Sequence, residues 1–463
     1  MDAWVAAAAA LLALSALQVP RVVYAVAAWR RATRGRRMPR RCGVVDVSVV
    51  VPARQEPLPL IKGLLVNLAG QRCRPREVIV VWDHPTKGYE RVAREAWRLG
   101  ERLGLRVRIV AKPWRGRGKA SVLNYAVRLA AARYVLFIDV DDRLASPTAL
   151  CEAVEAAASS GVVQLGVVGV AYLHPLQSPT AMAIHAGFRV LHEGRVRLGA
   201  QPLLVGSGLL VDKRLLARHP FDEEMIVEDV DLAVRLGAAG VKPGVAPQLL
   251  AMAGAPGYRA FRRQQSRWSR GVAAILARRA WLLPRLGLRG AELAYILSSY
   301  ALDALATIAA AVYAAAALTL AWPTWPLAVY TTIVLAQAAA AAPLSMDAPV
   351  KRRLRSSATA AAMALALQPV LLVNWLRGLL RPRGVFEVTP RRISGRERPG
   401  RLETIYMLLA GCLGAALAAT GHIYASLGLL NHLPALIYLH ARLPTLAKSS
   451  GSRRPRAPSP RRA

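Results

Sequence analysis

Long apolar runs lie towards both ends of this chain, and the middle alternates short apolar stretches with charged ones. Residues 3–20 are almost wholly apolar, and apolar runs return after Arg289. The middle is typical of a folded, water-soluble domain, whereas runs of about 20 apolar residues are long enough to cross a membrane. The pattern predicts one soluble domain flanked by membrane segments.

Within the middle section, apolar stretches predict strands and amphipathic stretches predict helices. The predicted strands cover 46–51, 78–82, 107–110 and 134–138, and the predicted helices cover 58–71, 87–103 and 119–132. Ser146 is the predicted N-cap of a further helix that begins at Pro147. Alternating strands and helices imply a parallel sheet with helices on both faces. Continuous apolar strands suit such a sheet, because both of its faces are buried.

The apolar and basic residues together divide the chain into six segments. The first is predicted to be a signal anchor with its N-terminus outside, because the positive charge follows the apolar run, whereas a signal peptide carries it in front. The segments are a transmembrane anchor at 1–29, a cytoplasmic domain at 30–290 with interfacial helices near 262–284, two transmembrane helices at 291–345, an interfacial or re-entrant helix with a cytoplasmic loop at 346–402, one or two transmembrane helices at 403–442, and a disordered basic tail at 443–463.

The apolar run at 357–377 has strong positive charge on both flanks. Positive flanks are expected on the cytoplasmic side, so both ends of this run belong there. We therefore predict a re-entrant or interfacial hairpin that bends at Pro369. The alternative is a spanning helix with one basic flank outside.

The formal net charge of +36 comes almost entirely from arginine, although 54% of the residues are hydrophobic. A basic chain can bind nucleic acid through phosphates, or it can face the anionic inner leaflet of a membrane. The arginine clusters lie next to the apolar segments, as at 30–41 and 351–355. This placement favours membrane lipids as partners, and no nucleic acid is expected.

The four cysteines, Cys42, Cys73, Cys151 and Cys412, are far apart and form no CxxC pair. A zinc or redox site is therefore not expected. Three of them fall in the part assigned to the cytoplasm, where disulfides are uncommon.

Acidic residues follow three of the predicted strands. Glu56 follows the first strand, Asp83 the second, and Asp139 and Asp141 the fourth. Ligands of such folds bind at the carboxyl ends of strands, so these groups should converge. Asp139 and Asp141 are candidate ligands of a magnesium or manganese ion that bridges a diphosphate. The alternative is that they only end the strand and begin a turn.

Two later stretches carry further candidate chemistry. Glu228 and Asp229 open an amphipathic helix, where acidic residues either cap the helix or provide a general base. Gln264, Arg267 and Trp268 stand at i, i+3 and i+4, on one helix face. Arginine can bind a phosphate and tryptophan can stack on a sugar, but an interfacial Trp/Arg pair before a membrane span is the alternative.

Taken together, these residues resemble the processive branch of the family 2 glycosyltransferases, which includes cellulose synthase, hyaluronan synthase and curdlan-type synthases. The family pattern is VPxxNE, an aspartate after the second strand, GKxxxLN, DxD, (T)ED and QxxRW. The matching residues occur in the same order over about residues 45–275: Val51-Pro52 to Glu56, Asp83, Gly118-Lys119 to Leu123-Asn124, Asp139 with Asp141, Glu228-Asp229, and Gln264 with Arg267 and Trp268. The resemblance implies an α/β GT-A (Rossmann-like) catalytic domain with α-helical transmembrane segments.

The resemblance also implies a role for each matching residue. Asp229 would be the general base of an inverting transfer, and Asp139 and Asp141 would bind Mg²⁺ or Mn²⁺. The remaining implied roles are nucleotide-sugar binding by Pro52, Ala53, Glu56, Asp83 and Lys119, with Asp139 and Asp141, and acceptor or diphosphate contacts by Glu228, Gln264, Arg267 and Trp268.

A further stretch, Phe386, Val388, Thr389 and Arg391, resembles the FxVTxK gating loop of cellulose-synthase-like enzymes, with arginine in place of lysine. Three positions depart from the family pattern, namely Gln55, Val227 and the His84-Pro85 pair. The last two affect the expected nucleotide and acceptor contacts, but no acidic group that the chemistry needs is missing.

The resulting prediction is a membrane glycosyltransferase that passes a hexosyl unit from a nucleotide-diphosphate sugar to a growing polysaccharide, with possible coupled export. The donor would be a UDP-sugar or a GDP-sugar. A first alternative is the transfer of a single sugar to a membrane lipid. A more distant alternative is a basic nucleic-acid-binding or transport membrane protein whose acidic clusters are structural.

Overall fold

A computed structural model describes residues 3–29, 43–85, 88–114, 118–171, 177–344, 350–383 and 397–448. Eight strands form one sheet: β1 (Val44–Ala53), β2 (Arg74–Trp82), β3 (Val107–Ala111), β4 (Tyr134–Phe137), β5 (Arg143–Leu144), β6 (Val162–Val170), β7 (Leu209–Asp212) and β8 (Gly244–Ala253). Their order across the sheet is β3-β2-β1-β4-β7-β6-β8-β5.

The sheet is mixed, so the prediction of a parallel sheet is right for the four predicted strands and wrong for the sheet as a whole. β1 to β4 are parallel, but β7 runs antiparallel to both β4 and β6, and β5 runs antiparallel to β8. The chain enters β7 through Gly206 and Gly208, whose φ angles are +72° and +66°. Glycine adopts such angles at little cost, which permits a tight turn into a reversed strand.

Helices cover both faces of the sheet. The apolar segments towards both ends of the chain form further helices. The helices up to residue 279 are α1 (Ala3–Ala16), α2 (Val19–Ala27), α3 (Leu58–Ala69), α4 (Tyr89–Arg102), α5 (Gly118–Leu129), α6 (Ala149–Ser160), α7 (Gln177–Phe188), α8 (Arg195–Arg197), α9 (Lys213–Arg218), α10 (Glu228–Ala238) and α11 (Tyr258–Arg279). One apolar core joins the sheet to α3, α4 and α6, and a second joins it to α5, α9 and α10.

Helix α6 begins at Ala149, two residues after the predicted start at Pro147. The carbonyls of Ser146 and Pro147 instead accept hydrogen bonds from Gln71 Nε2 (3.0 Å) and from the Arg72 backbone (2.7 Å). These bonds hold the residues before α6 against the end of α3.

Cys73 and Cys151 form a disulfide, with their Cα atoms 5.8 Å apart. The expectation of no disulfide in this part of the chain is therefore wrong. The two residues are separated by 78 positions in sequence. The two sulfurs are therefore brought together by the fold, and the local sequence does not indicate the pairing.

The later helices are α12 (Leu288–Leu320), α13 (Trp325–Ala341), α14 (Val350–Leu380), α15 (Arg401–Ala419), α16 (Ile423–Leu430) and α17 (His432–Lys448). Five helical segments of the described chain are long and apolar enough to cross a membrane: Ala3–Ala27, Leu288–Leu320, Trp325–Leu344, Leu354–Leu380 and Arg401–Ala419. Helix α14 continues through Pro369, so the hairpin predicted to bend at that residue is wrong.

Ion pairs with α12 hold α2 and α8 in place. Arg21 on α2 binds Asp303 on α12 at 2.5 Å, and Arg195 binds Glu292 at 2.5 Å. The carbonyl of Ala27 accepts a hydrogen bond of 3.1 Å from Arg197. The C-terminal end of α2 therefore rests on the sheet-containing domain.

Candidate active site

A pocket of about 220 Å³ lies at the carboxyl edge of the sheet, between the strand ends and α11. Every predicted site residue that the structure describes lines it: Pro52, Ala53, Glu56, Asp83, Lys119, Asp139, Asp141, Glu228, Asp229, Gln264, Arg267 and Trp268. The four residues of the predicted gating loop, Phe386, Val388, Thr389 and Arg391, lie outside the described residues.

The turn after β4 brings two aspartates to the pocket. Ile138 and Val140 are fully buried in the core, and the aspartates alternate with them. The turn is closed by a hydrogen bond from the Asp142 backbone N–H to the Asp139 carbonyl (3.0 Å). Apolar residues therefore anchor this segment, while Asp139 and Asp141 both line the open space.

Asp142, which the sequence suggests is only a turn residue, is buried and holds three parts of the site together. Its carboxylate accepts hydrogen bonds from Ser207 Oγ (2.5 Å) and from the Ala253 backbone N–H (3.1 Å). Ser207 Oγ in turn accepts one from the Asp139 backbone N–H (3.1 Å). The start of β7 and the end of β8 are thereby fixed to the Asp139–Asp141 turn.

Lys119 is the cation closest to these aspartates, with its Nζ 2.8 Å from Asp139 Oδ1. Burial alone would lower the pKa of Lys119, but Asp139, Glu228 and Asp229 outweigh burial and raise it. Burial and the neighbouring Asp139 raise the pKa of Asp141 to about 6. The lysine therefore stays charged and only partly offsets the clustered carboxylates.

Glu228 and Asp229 begin α10 at the opposite wall of the pocket. Burial, followed by the charge of Asp229, raises the pKa of Glu228 to about 7. Burial also raises the pKa of Asp229, while Lys119 and a backbone hydrogen bond from Val230 to Asp229 Oδ1 (2.8 Å) lower it. A carboxylate whose ionised form is destabilised by burial has a greater affinity for a proton.

Gly206 lies beside the Asp229 carboxylate. A Cβ atom at Gly206 would stand 2.8 Å from Asp229 Oδ2 and 3.5 Å from Lys119 Nζ. This position also has a left-handed φ of +72°. Both the backbone conformation and the available space therefore require glycine here.

Helix α11 forms the wall of the pocket that faces the apolar helices. It carries Gln264, Arg267 and Trp268 into the lining, and Trp268 also packs against the apolar cluster that contains Leu293 and Leu297 of α12. The same helix approaches α10 closely, since a Cβ atom on Gly271 would stand 2.4 Å from a Val227 methyl group.

Asp83 lies at the other end of the pocket, after β2. Its Oδ1 is 2.9 Å from Nζ of Lys112, which is fully buried and also donates to Ser121 Oγ at 2.6 Å. Arg54 Nε lies 3.9 Å from Asp83 Oδ2. The Asp83 carboxylate therefore has two cations beside it.

The sequence reasoning missed Lys112, Ser207 and Gln177 as well as the role of Asp142. Lys112 directly follows β3, so the strand-end rule that found Asp83 could have found it. Gln177 lines the pocket and donates from Nε2 to the Gly254 carbonyl at 2.8 Å. Ser207 and Gln177 lie outside the matching motifs, and no pattern of spacing distinguishes them.

Within the described residues, no three His, Cys, Asp or Glu side chains come together as a ready metal site. Asp139 and Asp141 nevertheless suit a hard divalent cation, which often takes one or two carboxylates and completes its shell with water and substrate phosphates. Burial and then the charge of Asp139 oppose the ionisation of Asp141 and raise its pKa, and a bound cation would offset both.

Solved structures show the same kind of fold. The mannosyltransferase PcManGT from Pyrobaculum calidifontis, in complex with GDP-Man and Mn²⁺, has a TM-score of 0.54 and 20% identity, covering 81% of this chain and 99% of that one. Glucosyl-3-phosphoglycerate synthase from Mycobacterium tuberculosis, with Mn²⁺, UDP and phosphoglyceric acid, gives a TM-score of 0.36 at 20% identity over 52% of this chain and 78% of that one, too low to compare sites. The first likeness confirms the GT-A fold that the resemblance implies.

Sequence comparisons relate the region that holds the pocket to known glycosyltransferases. A probable glycosyltransferase from Sulfolobus acidocaldarius is 25% identical over 250 residues, which are 50% of this chain and 51% of the relative. This chain thus spans about half the length of that relative. The model of glycosyl transferase family 2 matches residues 48–197, and that of glycosyl transferase family group 2 matches residues 134–342. Two glycosyltransferase family models therefore match the stretch from residue 48 to residue 342, which holds every residue of the pocket lining.

Proposed function

We propose that this protein transfers a hexosyl unit, with inversion at the anomeric carbon, from a metal-bound nucleotide-diphosphate sugar to a growing polysaccharide. One observation carries the proposal. A single pocket combines paired carboxylates at Asp139 and Asp141, a separate carboxylate at Asp229, and Arg267 with Trp268 on a helix that borders the apolar segments.

The donor diphosphate would lie between the Asp139–Asp141 turn and Lys119. Both aspartates would hold a magnesium or manganese ion, which supplies positive charge to the leaving diphosphate when it is bound. Lys119 and Arg267 are the cations that line this part of the pocket. Asp83, Glu56 and the Pro52–Ala53 backbone line the other end, where we place the nucleoside.

Asp229 is the proposed general base. The acceptor hydroxyl oxygen forms a new bond to the anomeric carbon, while the bond from that carbon to the diphosphate oxygen breaks. The hydroxyl proton passes to the Asp229 carboxylate, and the electron pair of the broken bond leaves with the nucleoside diphosphate. Asp229 suits this step because burial raises its pKa, and a carboxylate within hydrogen-bond reach can accept the proton.

The acceptor would reach Asp229 along α11. Trp268 lines the pocket, where its flat ring can meet a sugar, and it also packs against the apolar cluster that contains Leu293 and Leu297 of α12. The acceptor end of the pocket therefore borders the apolar helices, as an acceptor held at a membrane requires. A lipid-linked sugar fulfils the same condition, so transfer of one sugar to a membrane lipid is the second candidate.

We also propose that the catalytic domain is cytoplasmic and that α14 lies along the membrane surface. Ser269 Oγ of α11 donates to the Leu371 carbonyl (2.7 Å), and Gly378 packs against the Arg270 carbonyl. Helix α14 thus runs beside α11 for several turns, although its length and composition would permit a span. A helix that follows the surface of the catalytic domain in this way fits an interfacial position.

The test is to incubate the purified chain, in nanodiscs made with a total lipid extract, with labelled UDP-glucose, UDP-N-acetylglucosamine or GDP-mannose and Mn²⁺. Ladders of long product support polysaccharide synthesis, and one lipid-linked product supports the second candidate. Labelled product that forms equally well with Asp139→Asn and Asp229→Asn variants would overturn the proposed roles of both residues.

A further inference from the structure

We propose that Arg279, through Asp231 and Asp222, is a positioning residue that holds the acceptor-binding helix α11 in register with the base on α10. This inference rests on the proposed function, because it assigns the base to α10 and the acceptor contacts to α11. It adds a residue that lies outside the pocket and outside every motif found in the sequence.

Arg279 is the last residue of α11 and joins two other segments. Its Nε lies 2.8 Å from Asp231 Oδ1, and its terminal nitrogen lies 2.5 Å from Asp222 Oδ2. Asp231 is fully buried, and its second oxygen binds Arg235 Nε at 2.7 Å. The Asp231 carboxylate is thus ion-paired at both oxygens, and Arg279 is one of its two cations.

Asp231 connects this ion pair to the base. It lies in the first turn of α10, two residues after Asp229, so any movement of Asp231 also moves the base. Arg279 therefore joins the far end of α11 to the turn that carries the proposed catalytic carboxylate.

A second contact shows why the arginine is needed. Helix α11 touches the residue before α10 at Gly271, where a Cβ atom would stand 2.4 Å from a Val227 methyl group. The two helices also share an apolar cluster. Apolar packing is non-directional, whereas the ion pairs of Arg279 fix one register between α11 and α10. Arg279 lies eight residues beyond Gly271, about 12 Å at the rise of an α-helix, and Arg267 and Trp268 on the other side of Gly271 would shift with any change of register.

The neighbouring residue provides a matched control. Arg278 also forms one ion pair, at 2.9 Å with Glu224, whose side chain is 55% exposed. An exposed pair of this kind contributes little to stability. The two arginines are adjacent on the same helix, but only Arg279 reaches a buried carboxylate on α10.

The experiment compares Arg279→Gln, Arg279→Lys, Asp222→Asn and Arg278→Gln in full-length protein in nanodiscs, with the donor that wild-type protein uses. Three quantities are measured: label transferred to all products, label released as free sugar by hydrolysis, and KM for the donor. A thermal melt of each variant reports folding.

We expect Arg279→Gln to lower kcat for transfer by about 10- to 100-fold, because misplacing reacting groups by about 1 Å can cost 100-fold. KM for the donor should change less than about twofold. The share of hydrolysis should rise, because water, unlike the acceptor, does not have to be oriented by α11. Arg279→Lys should recover part of the rate, because an ammonium group can pair with only one of the two carboxylates at a time. Arg278→Gln should match the wild type.

The inference is overturned if Arg279→Gln transfers like wild type, or if Arg278→Gln is equally impaired. It also fails if transfer, hydrolysis and donor affinity fall in parallel, as general unfolding would produce. If Arg279→Gln does not fold, Asp222→Asn removes one of the two contacts, and its ratio of transfer to hydrolysis decides the question. Absence of any transfer by wild-type protein would instead refute the proposed function.

Discussion

The charged groups of the pocket and those between the membrane-side helices are arranged in opposite ways. In the pocket, the five carboxylates of Asp139, Asp141, Asp142, Glu228 and Asp229 lie near only three cations of the described chain, Lys119, Arg267 and Arg143. Between the helices, three buried or partly buried acids each have their own arginine. The pairs are Arg21–Asp303, Arg195–Glu292 and Arg262–Glu403, each at 2.5 Å.

The difference separates charges that build the protein from charges that act on a ligand. A buried acid with its own arginine is compensated, and removing one partner strands the other. The pocket carboxylates are under-compensated, as the raised pKa values of Asp141 and Glu228 report. Such a site gains favourable interactions when a divalent cation or a proton arrives. Changes in the pocket should therefore affect activity, and changes to the pairs should affect stability.

The largest effect is expected from Asp229→Asn, which removes the proposed base while keeping the size of the side chain. Transfer should fall by about 10²–10⁴-fold, the contribution of a general base, while the melting temperature stays level or rises. Sugar transfer and a thermal melt of the same sample check both parts. Asp46→Asn, which removes an exposed pair with Arg76, is the control. A stability loss in Asp229→Asn would contradict the comparison.

Asp303→Asn should have the opposite effect. It leaves Arg21 without its carboxylate between two apolar helices. Breaking a fully buried pair costs about 3–5 kcal/mol, and this partly buried pair should cost less. Thermal inactivation in detergent should come earlier, with activity per folded molecule unchanged. The double variant Arg21→Met with Asp303→Leu should recover most of the lost stability, since well-packed apolar residues often replace such pairs at little cost. No recovery would mean that the pair does more than hold the helices together.

Loss of the Cys73–Cys151 disulfide should have a smaller effect. Its 78-residue separation predicts a loss of about 2–4 kcal/mol when Cys151→Ser removes it. The protein should melt at a lower temperature with the pocket chemistry intact. Cys412→Ser, which changes a free cysteine, should leave the melt unchanged. Equal melts for all three proteins would show that the bridge adds no stability.

The smallest effect is expected from pH. Folding raises the pKa of Glu228 to about 7 and also raises that of Asp229, so these two groups bind more protons in the metal-free folded protein than in the unfolded chain between pH values of about 4 and 7. Their contribution to stability should rise as the pH falls through this window, whereas transfer should fall by up to about tenfold per pH unit as the base is protonated. The stability of the wild type relative to Glu228→Gln should therefore rise as the pH falls. A relative stability that instead rises with pH would contradict the pKa direction.

The sequence predicts the first half of the fold well, because its strands are short apolar runs between amphipathic helices. The helix at Gly118–Leu129, for example, was expected at 119–132. Strands β6, β7 and β8 were not predicted, and the reversed direction of β7 depends on Gly206 and Gly208, whose φ angles no local pattern reveals.

The candidate site was predictable where residue type implies chemistry. Carboxylates at strand ends and the Gln264–Trp268 face all reach one pocket. Ser207 and Lys112 were missed because their importance comes from hydrogen bonds and ion pairs across the fold, such as Lys112 to Asp83 at 2.9 Å. Their residue types alone occur anywhere on a protein surface.

The reversed direction of β7 limits how the length of one segment beside the site can vary during evolution. In a wholly parallel sheet, every segment at the carboxyl edge is leaving a strand, and its length can vary freely. Because β7 is reversed, the segment at 205–208 instead leads into a strand. Ser207 in this segment forms hydrogen bonds with the Asp139 backbone and the Asp142 carboxylate. An insertion there would displace the strand register and the Asp139–Asp141 turn together. This short segment should therefore tolerate almost no change in length, while the loops that leave the neighbouring strands remain open to new specificities.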